Sequence, residues 1–232
     1  MTQAQPTKKE NLFLNLLVNI IIPTVILSKF SGEDSLGVKW AIIVALAFPI
    51  GYGLMDMRST GKFNLFSAIG IFSVALTGGM ALLKLPPQYI IIKEAAIPAL
   101  FAIITLASLK TPYPLVKTFL YNDKVMQVDK VADALSRHGA EKDFDQALVN
   151  ASYLMALSFV LSSILNYILA KVILVSAPGT EAFNAELGKM NALSFPIIAI
   201  PATIVMMFAL FYLFKKIKQL TQLELEDIFI HQ

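Results

Sequence analysis

Long apolar runs dominate the hydrophobic pattern of this chain. Only helices and closed barrels satisfy their backbone polar groups in lipid, and a helix needs roughly 20 apolar residues to cross a bilayer core of about 30 Å. Six runs approach that length and are continuous rather than alternating in polarity, at residues 12–28, 38–55, 65–83, 89–109, 148–170 and 192–214. The pattern therefore predicts an all-α fold, that of a polytopic membrane protein with a bundle of six transmembrane helices.

The distribution of basic residues predicts how these helices are oriented. Of the 19 Lys and Arg residues, thirteen lie in segments on the side of the N-terminus and six lie on the opposite side. Positive charge accumulates on the cytoplasmic side of membrane proteins. We therefore expect both termini in the cytoplasm, with a tail at 1–11 and a tail at 219–232 flanking a membrane domain at 12–218.

The longest predicted connection between spans is a cytoplasmic linker at residues 110–147. Its six basic and six acidic residues balance, which argues against a polybasic lipid-binding patch. Apolar residues recur at helical spacing, and a helix stop follows at His138-Gly139. This stripe consists of Val125, Val128, Ala132 and Leu135. The pattern predicts an amphipathic linker helix that packs on the membrane or against the bundle.

The charged side of the linker helix is a candidate docking face for a protein partner. Mixed charges of this kind favour specificity of recognition more than raw affinity. The face consists of Lys124, Asp129, Lys130, Asp133 and Arg137.

Composition excludes several classes of function. With 56% hydrophobic and 15% charged residues, the chain cannot be a water-soluble globule. The absence of cysteine removes thiolate chemistry, and two histidines leave little for a metal or triad site. The net charge of +3 reflects basic residues sorted across a bilayer rather than nucleic-acid binding. No nucleotide-binding, zinc-protease or hydrolase motif occurs. We therefore expect no enzyme, catalytic residue, cofactor, metal site or nucleic-acid partner.

Polar residues within the spans are the main candidates for a functional site, because each is costly in lipid. Asn15 and Asn19 share one helix face, and three polar residues repeat every four positions in the fifth span. These three are Ser158, Ser162 and Asn166. Such stripes hydrogen-bond neighbouring helices or line a polar cavity; the pattern favours packing and leaves both open. Small residues four apart, such as Ala41 with Ala45, predict close helix contacts within the chain or in an oligomer.

Glu94 is the first candidate for a proton- or cation-sensitive site. It follows Lys93 inside the fourth span. Adjacent residues lie about 100° apart on a helix, so we do not expect these two to pair. Lys93 is instead expected to extend to the outer headgroups.

The order of these elements resembles a known family. A basic turn, Arg58–Lys62, leads into a span that ends in Thr77-Gly78-Gly79, and a helix bearing Lys93 follows. The linker then opens with a Pro-Leu pair, an asparagine-bearing span follows, and the last span exits into a basic tail. This order resembles the intracellular septation protein A (IspZ) family of bacterial inner-membrane proteins, over roughly residues 12–218. The longer linker at 121–147 and an insert at 177–189 depart from that pattern and indicate a sister group.

The resemblance implies a multi-pass protein of the bacterial inner membrane that is not an enzyme. It implies a role in cell-envelope synthesis or septation, exercised through envelope or division proteins, with membrane lipids around the bundle. The alternative is a small secondary transporter or channel for an ion or metabolite. Its polar pathway would be formed by Glu94 and the two polar stripes, those of the first and fifth spans.

Overall fold

The computed structural model describes residues 12–60, 65–111, 114–121 and 125–229. These residues form α-helices and two short π-helical segments. The helices are α1 (Leu12–Leu16), α2 (Ile22–Lys29), α3 (Gly37–Thr60), α4 (Leu65–Leu82), α5 (Pro87–Ser108), α6 (Leu115–Leu120), α7 (Val128–His138), α8 (Glu141–Ile173), α9 (Glu181–Ser194), α10 (Ile200–Thr221) and α11 (Leu225–Ile228), and the π segments are π1 (Leu17–Ile21) and π2 (Phe195–Ala199). The β-structure of the described residues is an isolated bridge between Met126 and Phe229. The predicted all-α class is confirmed.

Four helices are long and apolar enough to cross a membrane: Gly37–Asp56, Pro87–Ser108, Glu141–Ile173 and Glu181–Thr221. They contain the second, fifth and sixth predicted spans and all but the last residue of the fourth, which identifies the chain as a helical membrane protein. The first and third predicted spans correspond to the shorter apolar helices Phe13–Lys29 and Ala68–Leu82.

Two helices extend well beyond their predicted spans. Helix α8 has 33 residues and therefore a length of about 50 Å, because each residue adds 1.5 Å. The last helical run, from α9 through π2 to α10, covers 41 residues. Its first part, α9, contains most of residues 177–189, the segment predicted to be an insert.

The described residues divide into two compact units. Unit 1 comprises the described residues up to Ile92 and Ile168–Phe195, and unit 2 comprises the described residues from Lys93 to Tyr167 and from Pro196 onward. In unit 1, α2 packs against α3 and α9, and α3 packs against α4. Gly188 permits the close approach of α9 to α2, since a Cβ atom there would lie 3.1 Å from the Thr24 carbonyl oxygen and 3.2 Å from the Leu27 Cβ.

Polar contacts fix the position of α9 in unit 1. The fully buried Asn184 side chain donates hydrogen bonds to the Ser31 hydroxyl and to the Val38 carbonyl, each at 2.9 Å. One turn along α9, the Thr24 hydroxyl donates to the Gly188 carbonyl at 3.2 Å. The α9 helix is therefore a hydrogen-bonded part of unit 1.

A proline explains the irregular segment in the first helix. Pro23 has no N–H and cannot donate to the carbonyl four residues earlier, that of Asn19. The π1 segment contains Asn19, and the Asn191 side chain from α9 donates to its carbonyl at 3.3 Å. The carbonyl that Pro23 leaves without its helical partner is thus satisfied by a neighbouring helix.

In unit 2, the linker and the end of the chain fold together around one apolar core, which we call the juxtamembrane module. Twelve buried residues form it: Val116, Met126, Val131, Leu135, Ala140, Phe144, Ala147, Leu148, Ala151, Leu213, Ile217 and Ile228. They come from α6, α7, the start of α8, the end of α10 and α11, with Met126 and Ala140 in the connections that flank α7. The expected linker helix is therefore part of a packed subdomain.

The structure corrects the buried face of the linker helix. Val131, Ala134 and Leu135 are buried, whereas Ala132 is exposed. The predicted stripe was partly wrong. The core contacts the face of α7 that is formed by Val131 and by the residues three and four positions later, Ala134 and Leu135. The predicted stop is confirmed, since Gly139 caps α7 in the left-handed conformation with φ = 62°.

Candidate functional site

Asn15 and Asn19 line a cavity of about 290 Å³ in unit 1. Two other elements complete its wall, α3 and α4. The lining residues are Asn15, Asn19, Pro49, Tyr52, Gly53, Asp56, Gly70, Ile71 and Val74. Two polar residues from the first helical segment and two from α3 therefore line an otherwise apolar cavity.

The α3 wall follows from helical spacing. Pro49, Tyr52, Gly53 and Asp56 stand at i, i+3, i+4 and i+7, so they share one face of α3. A Cβ atom at Gly53 would lie 2.8 Å from an Ile71 side-chain carbon, so glycine permits the close approach of α4. At the neighbouring Gly70 a Cβ would meet open space within 4 Å. The helices thus touch at Gly53, whereas Gly70 is exposed.

The two asparagines are held in a defined arrangement. The Asn19 Nδ2 group donates to the Asn15 Oδ1 atom at 3.0 Å. This bond ties the Asn19 carboxamide to the carboxamide one turn earlier on the same face. The hydrogen bond from the Asn191 side chain to the Asn19 carbonyl oxygen also holds the main chain of this residue. These bonds keep both carboxamides at the cavity.

Asp56 is the site residue that the sequence reading missed. It is the single charged side chain among the described lining residues and stands at the end of the apolar stretch Gly37–Asp56. Charges are common at span ends, so its position gave no signal by itself. The available signal was its spacing from Tyr52, one turn away on the same face.

The polar stripe of α8, in unit 2, takes part in packing. The Ser158 hydroxyl donates to the Ala202 carbonyl at 2.6 Å, and Asn166 donates to the Ser162 carbonyl of its own helix at 2.8 Å. Ser163, which the four-residue repeat omitted, donates to the Ala95 carbonyl at 2.8 Å. These two serine hydroxyls bind main-chain oxygens of neighbouring helices, so they join α8 to α5 and to α10.

The arrangement of Lys93 and Glu94 differs from the sequence prediction in two respects. The Lys93 Nζ atom lies 2.6 Å from a Glu94 carboxylate oxygen, and the Lys93 side chain is 7% exposed. The prediction that adjacent residues do not pair was wrong, because a flexible four-carbon stem brings the ammonium across the angle between them. The expected extension of Lys93 to the headgroups was also wrong, since the side chain is buried.

In the predicted docking face of α7, three residues are exposed and one is held in an ion pair; we call the three exposed residues its exposed edge. Asp129, Asp133 and Arg137 are exposed, whereas Lys130 pairs with Asp227 at 2.7 Å. Arg137 also donates through Nε to the Asp133 carbonyl at 3.2 Å, which orders the face along the helix. Lys124, the remaining predicted member, lies outside the described residues.

These features define the class as a polytopic helical membrane protein with a small polar cavity in unit 1 and a juxtamembrane module in unit 2. Comparison of the chain with protein-family models, curated proteins and solved structures found no match.

Proposed function

We propose that this chain is a six-span protein of the bacterial inner membrane that acts in cell-envelope synthesis or septation by binding protein partners, without catalysis. The IspZ-like order of elements supports the setting, and the thirteen-to-six distribution of basic residues supports cytoplasmic termini. The two shorter apolar helices supply the first and third spans. With 18 residues, α4 is about 27 Å long, close to the bilayer core.

The observation that carries this proposal is the juxtamembrane module. The apolar side of α7 packs into the core of the juxtamembrane module, and Val131 is fully buried there. An amphipathic helix whose apolar side is occupied has no such surface left to insert into lipid. What α7 presents outward is its charged side, which suits recognition of a protein.

The end of the chain makes that surface rigid. The Gln127 main-chain N–H donates to the Ile228 carbonyl at 2.8 Å, and the Gln127 side chain donates to the Phe229 carbonyl at 3.2 Å. The Lys130–Asp227 ion pair adds a third connection. A partner would therefore meet a preorganised face, which reduces the entropy lost on binding.

Charge reversal on this face tests the proposal. Asp129→Lys/Asp133→Lys should abolish function in a deletion strain, read as cell length and septum placement, while expression and thermal stability stay normal. The matched control is Glu141→Lys/Glu226→Lys, which makes the same charge change at exposed positions outside the α7 face. Equal complementation by both variants would refute the proposal.

The transporter or channel remains the alternative. It requires the α8 stripe and Glu94 to face a water-filled path. The Ser158 hydroxyl donates to a carbonyl and Glu94 pairs with Lys93, and both contacts favour the partner-binding proposal. The cavity at Asn15 and Asn19 is the feature that favours transport.

A further inference from the structure

We propose that unit 2 binds the headgroup of an anionic phospholipid through the Tyr212 hydroxyl and the ammonium groups of Lys215 and Lys216, near the end of α10. The site lies outside α7, so it is independent of the partner binding proposed above. Three observations support it: where the residues stand on α10, how the tyrosine hydroxyl is bonded, and which lysines of the juxtamembrane module are paired.

One side of α10 is exposed and apolar up to Lys215. Ile204, Phe208 and Phe211 are each more than half exposed and stand at i, i+4 and i+7, so they form one column on the helix. Helix α10 belongs to the run Glu181–Thr221, which is long and apolar enough to cross a membrane, so this column contacts lipid chains. Lys215 is exposed and follows Phe211 by four residues. The column therefore ends in a lysine at the level where lipid chains give way to headgroups.

Helical geometry brings both lysines close to Tyr212. They follow it by three and four residues, so Tyr212 lies between them on one face, a turn nearer the apolar part of α10. Side chains of a helix lean towards its N-terminus, which for these lysines is the direction of Tyr212. Two ammonium groups and one phenol hydroxyl therefore converge on the same patch at the lipid boundary.

The tyrosine hydroxyl is held in place and has a proton to donate. The Asn150 Nδ2 atom donates to the Tyr212 hydroxyl oxygen at 2.9 Å, and the Gln146 Nε2 atom donates to the Asn150 Oδ1 atom at 3.1 Å. The tyrosine oxygen is thus an acceptor in this chain of bonds, and towards the described residues Tyr212 makes no bond as a donor. Its proton is available to a phosphodiester oxygen, which is a strong acceptor because it is charged.

The two lysines also differ from others in unit 2 in their ion pairs. Lys117, Lys130 and Lys218 each lie within ion-pair distance of a carboxylate of the juxtamembrane module. In the part of the chain that the structure describes, neither Lys215 nor Lys216 has such a carboxylate. Two positive charges without a counter-ion at the lipid boundary favour a headgroup with net negative charge over a zwitterionic one.

Native mass spectrometry of the purified full-length protein in detergent micelles tests the site, because it counts bound lipids. Phosphatidylglycerol is compared with phosphatidylcholine of the same acyl chains, since both contain the phosphodiester and only the first has a net charge. We expect one phosphatidylglycerol to bind at least about tenfold more tightly than phosphatidylcholine. Equal affinity for both lipids would overturn the proposal. Displacement of phosphatidylglycerol by glycerol 3-phosphate would show a site for soluble phosphate and would overturn the lipid assignment.

Two variants locate the effect. Lys215→Gln/Lys216→Gln should weaken phosphatidylglycerol binding about 30-fold, as expected for two lysines near an anionic surface. Tyr212→Phe keeps both lysines, removes the hydroxyl and should weaken binding about tenfold, and it keeps the test valid if the double variant fails to fold. The matched control is Lys29→Gln/Lys39→Gln in unit 1, where both lysines are exposed and each precedes an exposed aromatic residue. It should bind like wild type. An equal loss in the two double variants, or wild-type binding in both α10 variants, would overturn the assignment.

Discussion

The strongest prediction concerns Ile228, which joins the end of the chain to the linker. Its side chain is 1% exposed and belongs to the same core as Val131 and Leu135. Truncation to alanine removes buried methyl and methylene groups and leaves a cavity, at a cost of about 2–5 kcal/mol for such a site. Helix α11 has four residues, so we expect this loss to release α11 and to loosen α7 locally rather than to unfold the spans.

Hydrogen–deuterium exchange measures this loosening directly. A loss of 2 kcal/mol raises the equilibrium constant for local opening about 30-fold, so peptides covering 128–138 should exchange at least that much faster in Ile228→Ala. Peptides covering 152–166 of α8 should keep their protection. Ile204→Ala, in α10, is the matched control, since Ile204 is 51% exposed. Unchanged exchange of α7 in Ile228→Ala would refute the claim that the tail stabilises the docking face.

The remaining predictions concern the orientation, the α8 contact and the buried ion pair. Reporter fusions at Asp133 and at the C-terminus should both report a cytoplasmic location, because basic residues concentrate on that side; a periplasmic signal from either would contradict the orientation. Ser158→Ala should lower the free energy of unfolding by about 0.6–2 kcal/mol through loss of the bond to Ala202, whereas Ser162→Ala should have a smaller effect; equal effects would show that the packing contact contributes little. Glu94→Gln should be destabilising by about 1–3 kcal/mol, because it leaves the buried Lys93 ammonium without its charged partner, and Lys93→Met/Glu94→Gln should recover much of that loss in thermal unfolding. If Glu94→Gln instead abolishes function at wild-type stability while the α7 variants act normally, the transporter is the better account.

Local patterns predicted much of the fold. Continuous apolar runs located the four long helices, because lipid admits few alternatives to a helix. The linker helix and its stop at Gly139 followed from spacing and from the preference of glycine for the left-handed conformation. These features depend on residues that are close in sequence.

The cavity could not be predicted, because it depends on contacts between distant segments. Asn15 and Asn19 were singled out, but their meeting with Tyr52 and Asp56 is set by the packing of three helices. The role of α9 was missed for the same reason, since Asn184 finds its partners more than 140 residues away. Ser163 was overlooked because a strict repeat of four ignores the neighbouring position, which is the one that reaches Ala95.

In the proposed function, the exposed edge of α7 binds a protein of envelope synthesis or septation. Site-specific photo-crosslinking in living cells tests it most directly, with the crosslinking residue at Asp133 and, as the control, at Glu226, exposed positions in the same module. We predict a discrete crosslink from Asp133 to an envelope or division protein, absent from Glu226 and lost when Asp129 and Arg137 are charge-reversed. Crosslinks to lipid alone, or the same products from both positions, would contradict the account.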